Sequence, residues 1–157
     1  MALLLLANAV ATLFMVGVIW FVQVVHYPLF ARVGRPGFAV YSVRHTRMTS
    51  FVVGPPMLLE AATAVALVIW TPPGIPVPPV RAGLVLVAVI WLSTAFLQSP
   101  RHTTLGRGSD PRAHRFLVTS NWLRTVLWSL RGLVVLRILY QARVELVRRP
   151  MDASSVG

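Results

Sequence analysis

The sequence predicts an all-α integral membrane protein, a bundle of four transmembrane helices over about residues 3–27, 49–70, 81–98 and 115–140. Three observations predict it. Four apolar segments approach or exceed the roughly 20 residues needed to cross the hydrocarbon of a bilayer. The composition is 56% apolar and only 12% charged, with a mean hydropathy of +0.71. All 15 basic residues are Arg, and most sit in the short polar stretches between apolar runs, as in the cytoplasmic loops of membrane proteins. A net charge of +11 in a soluble chain would suggest nucleic acid, but this placement of the arginines excludes that partner and points to lipid headgroups.

The first segment begins at Leu3 and ends at Tyr27-Pro28. Ala7-Asn8-Ala9 has the small residues of a signal-peptide cleavage site, yet no basic stretch precedes it and the apolar run continues through Phe21. A retained helix is expected. The second, from about Thr49 to Trp70, contains Gly54-Pro55-Pro56, which removes two backbone donors and predicts a kink that opens a pocket. Before it, Phe38, Tyr41 and Val43 interleave with Arg35, Arg44 and Arg47, the pattern of a short interfacial helix or a polar turn. Residues 71–79 hold five prolines and no charge, predicting a stiff extended connection to the third segment. That segment ends before Pro100, and the fourth starts near Arg115. Residues 1–141 form a single membrane domain and 142–157 a polar tail.

Orientation follows from arginine placement. Arg32, Arg35, Arg44 and Arg47 follow the first segment, and Arg101, Arg107, Arg112 and Arg115 follow the third. Arg81, Arg143, Arg148 and Arg149 lie on the other side. The two long connections are therefore expected in the cytoplasm and both termini outside. A faint internal echo pairs Gln23, His26 and Gly34-Arg35 with Gln98, His102 and Gly106-Arg107, as a hairpin duplication would, although the spacings differ.

Polar side chains within apolar spans are costly and must face the bundle interior. Helix periodicity puts Trp20, Gln23 and Tyr27 on one stripe, with His26 beside it. A second stripe carries Trp91, Thr94, Gln98 and His102, and a broad third carries His114, Asn121, Arg124, Thr125, Trp128 and Arg131. The second helix adds His45, Thr49 and Glu60. Most of these converge on the arginine-rich half, with only Arg131 and Arg137 expected in the other. Glu60, alone among the four acids in lying within a span, must be paired or protonated. Arg124 is its first expected partner and Arg131 the next. A Glu–Arg pair serves either to fix packing or to act on a substrate.

The candidate site residues are Glu60, Arg124 and Asn121 for catalysis, and Gln23, Tyr27, Gln98 and His114 for substrate. His26, His45 and His102 are candidate ligands of a haem iron or a metal ion. Their spacing matches no dedicated metal motif, and interfacial hydrogen bonding is the plain alternative. No cysteine is present, which excludes disulfides, thiolate metal sites and cysteine nucleophiles. The five tryptophans read as interface anchors and packing residues, with Trp20, Trp91 and Trp128 open to a pocket-lining role.

The segments Trp20–Phe30 (WFVQVVHYPLF), Val53–Glu60 (VGPPMLLE) and Asn121–Thr125 (NWLRT) resemble small bacterial four-helix integral membrane proteins over about residues 5–140. The layout, with its Asn/Arg/Thr motif on the last helix, is also distantly similar to anthrone oxygenase-like membrane proteins. The first resemblance implies a bacterial inner-membrane location and no particular activity. The second implies an oxygenase with little or no cofactor, acting on a lipophilic aromatic substrate. Three functions fit the sequence: a membrane-embedded oxidoreductase, a non-catalytic scaffold that binds lipid or a partner helix, and a small transporter subunit. The last would need a homo-oligomer to build a path.

Overall fold

The computed structural model describes residues 1–154. All its regular structure is helical: α1 spans Ala2–Phe30, α2 Phe38–Ile69, α3 Val77–Gly106 and α4 Pro111–Ser154. The chain runs up, down, up and down. Each helix packs on its neighbours in sequence, and α1 packs on α4, which closes the ring. The ends of α1 and α3 and the starts of α2 and α4 thus share one end of the bundle, the arginine-rich one.

Three helices, α1 to α3, are long and apolar enough to cross a membrane. The fourth expected span falls short on composition, because α4 carries Arg137, which is exposed, as well as Asn121, Arg124 and Arg131 within its apolar stretch. The last three side chains are buried inside the bundle, while Leu123, Val126, Leu130, Leu133 and Leu136 of the same helix face outward. The whole molecule has this inside-out character, with exposed Leu, Val and Phe on every helix around a core that contains Asn, Gln, Glu and Arg.

Several boundaries differ from the sequence expectation. Helix α2 begins at Phe38, not near Thr49, so the predicted interfacial helix is its first turns. It runs unbroken through Pro55 and Pro56. Pro78 and Pro79 lie in the first turn of α3, where their missing donors would be unpaired anyway, so the extended connection is shorter than residues 71–79. Helix α4 starts at Pro111, with Asp110 accepting the backbone N–H groups of Arg112 at 2.8 Å and Ala113 at 3.1 Å, an N-cap with proline at the first helical position. It continues to Ser154, so most of the predicted polar tail is helical, and residues 155–157 lie outside the described residues.

Helices α1 and α3 share a device. Each widens into a π turn, at Val22–His26 and at Thr94–Gln98, two residues before a proline. Pro28 and Pro100 cannot donate to the preceding turn and their rings crowd it. The N–H of Tyr27 reaches back to the Val22 carbonyl and that of Ser99 to the Thr94 carbonyl, each five residues away, which accommodates the ring. Counted from the two prolines, Gly34-Arg35 and Gly106-Arg107 fall at the same spacing. The hairpin echo therefore lies in the Pro and Gly-Arg positions and the π turns, not in the histidines.

Along the bundle axis the core alternates in layers. Tyr27, Phe30, Phe38, Leu105, Ala113 and Leu117 pack at the arginine-rich end. Met15, Ile19, Met57, Ile90 and Trp128 pack in the middle. Leu5, Leu67, Ile75, Val80 and Ile138 close the other end. A polar layer lies in each of the two gaps between them.

Candidate functional site

The polar layer far from the arginine-rich end is closed. Glu60, 1% exposed, accepts hydrogen bonds from Thr12 Oγ1 at 2.8 Å and Trp128 Nε1 at 3.0 Å. Arg131 Nε lies 3.7 Å from Glu60 Oε1, and its Nη2 donates to Asn8 Oδ1 at 2.8 Å. Asn8 Nδ2 donates onward to Thr63 Oγ1 at 2.8 Å. Gly83 makes room for the guanidinium, since a Cβ there would stand 2.5 Å from Arg131 Nη1. Glu60 is thus paired with Arg131, not with Arg124 as expected. Its carboxylate is enclosed by these partners.

Asn8, Thr12 and Thr63 were not anticipated as polar partners in this half of the bundle. The signal was present: Asn8 and Thr12 are one turn apart on an otherwise apolar face, and Thr63 follows Glu60 by three residues.

The second polar layer opens into a cleft of about 630 Å³ at the arginine-rich half. Its deeper walls are apolar: Met15, Ile19 and Val22 of α1, and Val53 and Met57 of α2, which flank the Pro-Pro step. The ionisable and amide groups of the lining are Tyr27, His45, Gln98, His102 and Arg124, with Arg47 and Arg107 toward the mouth, and several Ser and Thr hydroxyls lie among them. Both π turns border it, through Val22 and through Thr94 and Gln98.

Arg124 is 9% exposed and faces this cleft. Its Nη1 donates to Asn121 Oδ1 at 3.4 Å, and the guanidinium carbon stands 5.0 Å from the centroid of the Trp128 ring. Its Nε meets no acceptor. Asn121 is held in place from behind: its amide donates to Gln23 Oε1 at 2.8 Å, and Gln23 donates to the Val118 carbonyl at 3.3 Å. Gln98 Oε1 accepts from Ser93 at 3.2 Å, and its Nε2 donates to Ser120 at 3.4 Å.

Two of the candidate histidine ligands, His45 and His102, line the cleft, while His26 stacks on the back of His45 with ring centroids 4.2 Å apart and planes 19° from parallel. Stacked faces do not aim two nitrogens at one point. Among the described residues no group of three or more His, Asp and Glu side chains is placed to hold a metal ion. Buried His26 Nε2 and His102 Nδ1 have no hydrogen-bond partner, and His45 contacts Thr49 Oγ1 at 3.2 Å. His114 stands apart from the cleft lining, its Nε2 3.2 Å from the Tyr27 carbonyl and its ring stacked on Phe30.

The structure therefore brings Tyr27, His45, Gln98, His102 and Arg124 together on one cavity, with Gln23, Asn121 and His26 supporting them from behind. Glu60 and His114 belong elsewhere. No tryptophan lines the cleft: Trp128 is fully buried on Glu60, Trp20 donates outward to Ser129 at 3.1 Å beside Trp122, and Trp91 faces out. Fold and cleft define a class, an antiparallel helical bundle with an apolar exterior, a polar interior and three helices fit to cross a membrane. No protein-family model, curated protein or solved structure matches the chain.

Proposed function

We propose that the protein spans the membrane four times and binds a lipophilic small molecule in this cleft, where His45 and His102 transfer protons to or from it. The observation that carries the reading is the cleft itself. A cavity of about 630 Å³ inside a bundle this small falls in the range that holds a drug-sized ligand. It has the expected division of labour, apolar walls for the body of the molecule and a few convergent polar groups to orient it.

The fourth span is supported by the outward leucines of α4, which offer lipid an apolar face broken only toward its far end by the exposed Arg137. The excess of arginine at one end supports placing the cleft mouth on the cytoplasmic side and the termini outside. Because the chain has no cysteine, the variants Ser109→Cys and Thr71→Cys report orientation directly. In intact cells, a membrane-impermeant maleimide should label position 71 and spare position 109.

In the oxygenase form of the reading, which the resemblance implies, dioxygen would be the oxidant and the substrate must be deprotonated to react with it, for which the cleft imidazoles are the groups at hand. The test of binding is native mass spectrometry on protein extracted in mild detergent. Wild type should retain a small lipophilic adduct, and Met57→Trp, which sets an indole against the apolar wall where the body of the ligand would lie, should lose it while keeping its helical spectrum. An adduct indifferent to Met57→Trp would place the ligand elsewhere and sink the reading.

A further inference from the structure

The charge of the cleft narrows what it can take. Its ionisable lining is Tyr27, His45, Arg47, His102, Arg107 and Arg124, and among the described residues no Asp or Glu lines it. Arg124 is the group that decides the matter. A guanidinium nine-tenths buried is normally matched by a carboxylate, because removing it from water is costly otherwise. The interior acid, Glu60, is fully engaged by Arg131, Thr12 and Trp128 in the other polar layer. Asp110 caps α4, and Glu145 lies over Gly74 at the opposite end of the bundle. Among the described residues, what remains to Arg124 is one long hydrogen bond to a neutral amide and a ring face; its Nε, like that of Arg131, has no hydrogen-bond acceptor, but unlike Arg131 it has no carboxylate beside it.

The support behind it is ordered for reception. Gln23 fixes the amide of Asn121 so that the oxygen of that amide turns toward Arg124, which orients the guanidinium without cancelling its charge. The same cleft is lined by Met15, Ile19, Val53 and Met57, a surface for a hydrocarbon or aromatic body.

We propose that the molecule bound here is an amphiphilic oxyanion, a carboxylate or chemically similar acid on an apolar body, with its anionic oxygens on Arg124. This rests on the reading of the cleft as a lipophile site and goes further by naming the charge and its anchor. A charge-assisted, partly desolvated contact of this kind should favour an acid over its uncharged analogue by roughly tenfold or more.

The experiment compares tritiated dodecanoate with tritiated dodecanol on the full chain in nanodiscs of phosphatidylcholine. Naphthalene-2-carboxylate and its methyl ester serve as unlabelled competitors, and Met57→Trp gives the background. Wild type should prefer dodecanoate about tenfold, Arg124→Lys should keep a preference, and Arg124→Gln should lose it. Competition by the naphthoate but not its ester, with dodecanoate itself weak, would also support an acid head and assign the body as aromatic. Equal binding of acid and alcohol, still abolished by Met57→Trp, would overturn the oxyanion and leave the lipophile cleft standing. A preference untouched by Arg124→Gln would overturn Arg124 as the anchor in favour of Arg47 and Arg107. No binding above the Met57→Trp background would overturn the cleft reading itself.

Discussion

Arg131 and Arg124 lie two turns apart on one face of one helix, both buried, and they meet opposite surroundings. Arg131 is enclosed by Glu60 at 3.7 Å and Asn8 at 2.8 Å and does not line the cleft. Arg124 has an amide at 3.4 Å, a tryptophan face and a cleft. A buried charge therefore has no fixed meaning in a membrane bundle. At the level where another helix supplies a carboxylate, the arginine joins two elements. At the level where none does, the same residue is left to be matched by something that enters.

The comparison breaks most visibly at Glu60. Glu60→Leu leaves Arg131 buried without its counter-charge and takes the acceptor from Thr12 and Trp128, an expected loss of about 3–5 kcal/mol. The double variant Glu60→Leu/Arg131→Leu should recover much of it. Thermal unfolding in detergent checks both, and a single variant as stable as wild type would show that the pair holds nothing together. Gly83→Ala comes next. Its methyl group would stand 2.5 Å from Arg131 Nη1, so the guanidinium must shift off Glu60, at an expected ~1–3 kcal/mol. Thr12→Val should cost less, about 0.6 kcal/mol, the average for a hydrogen bond between membrane helices, because Trp128 and Arg131 still engage the carboxylate. None of the three should alter the acid preference of the cleft in the protein that remains folded.

Much of this was legible in the sequence. Helical spacing placed Gln23, Tyr27, Gln98, Asn121 and Arg124 on inward stripes near one end, and the structure buries all five. The cost of a lone carboxylate in a span required Glu60 to have a cationic partner, and it has one. The identity of the partner depended on something the stripes do not carry, the level of one helix against another. Counted from an expected start near Thr49, Glu60 stands level with Arg124 counted from Arg115. From the observed starts, Glu60 is 22 residues along α2 and Arg131 is 20 along α4, about 33 and 30 Å at ~1.5 Å per residue. Arg124, at 13 residues and about 20 Å, falls a layer short. The error came from Phe38–Met48, where Arg44, Arg47 and His45 lower the hydropathy of a stretch that is helical all the same. Charged residues at the membrane end of a helix hide its true start from any pattern based on apolarity. The π turns were equally hidden, because a proline near a helix end reads as a stop, whereas here the preceding N–H shifts its partner by one residue and the helix goes on.

The last comparison is the sharpest although its expected effect on stability is the smallest. Arg124→Gln removes a buried charge that no carboxylate offsets, so it relieves a desolvation cost of about 2.5–3.5 kcal/mol on insertion scales. Against that stand a cation–π contact with Trp128, worth roughly 0.5–2 kcal/mol, and one long hydrogen bond to Asn121. Gln at this position keeps a donor for Asn121. The balance predicts an unfolding temperature in ligand-free detergent equal to or slightly above that of wild type, with acid binding lost. Side by side with Glu60→Leu, the two variants should separate cleanly, one losing stability while the surviving folded protein still prefers acid, the other losing that preference and keeping stability. If Arg124→Gln instead unfolds as readily as Glu60→Leu, then Arg124 is a second structural joint, and the difference between the two polar layers is one of packing alone.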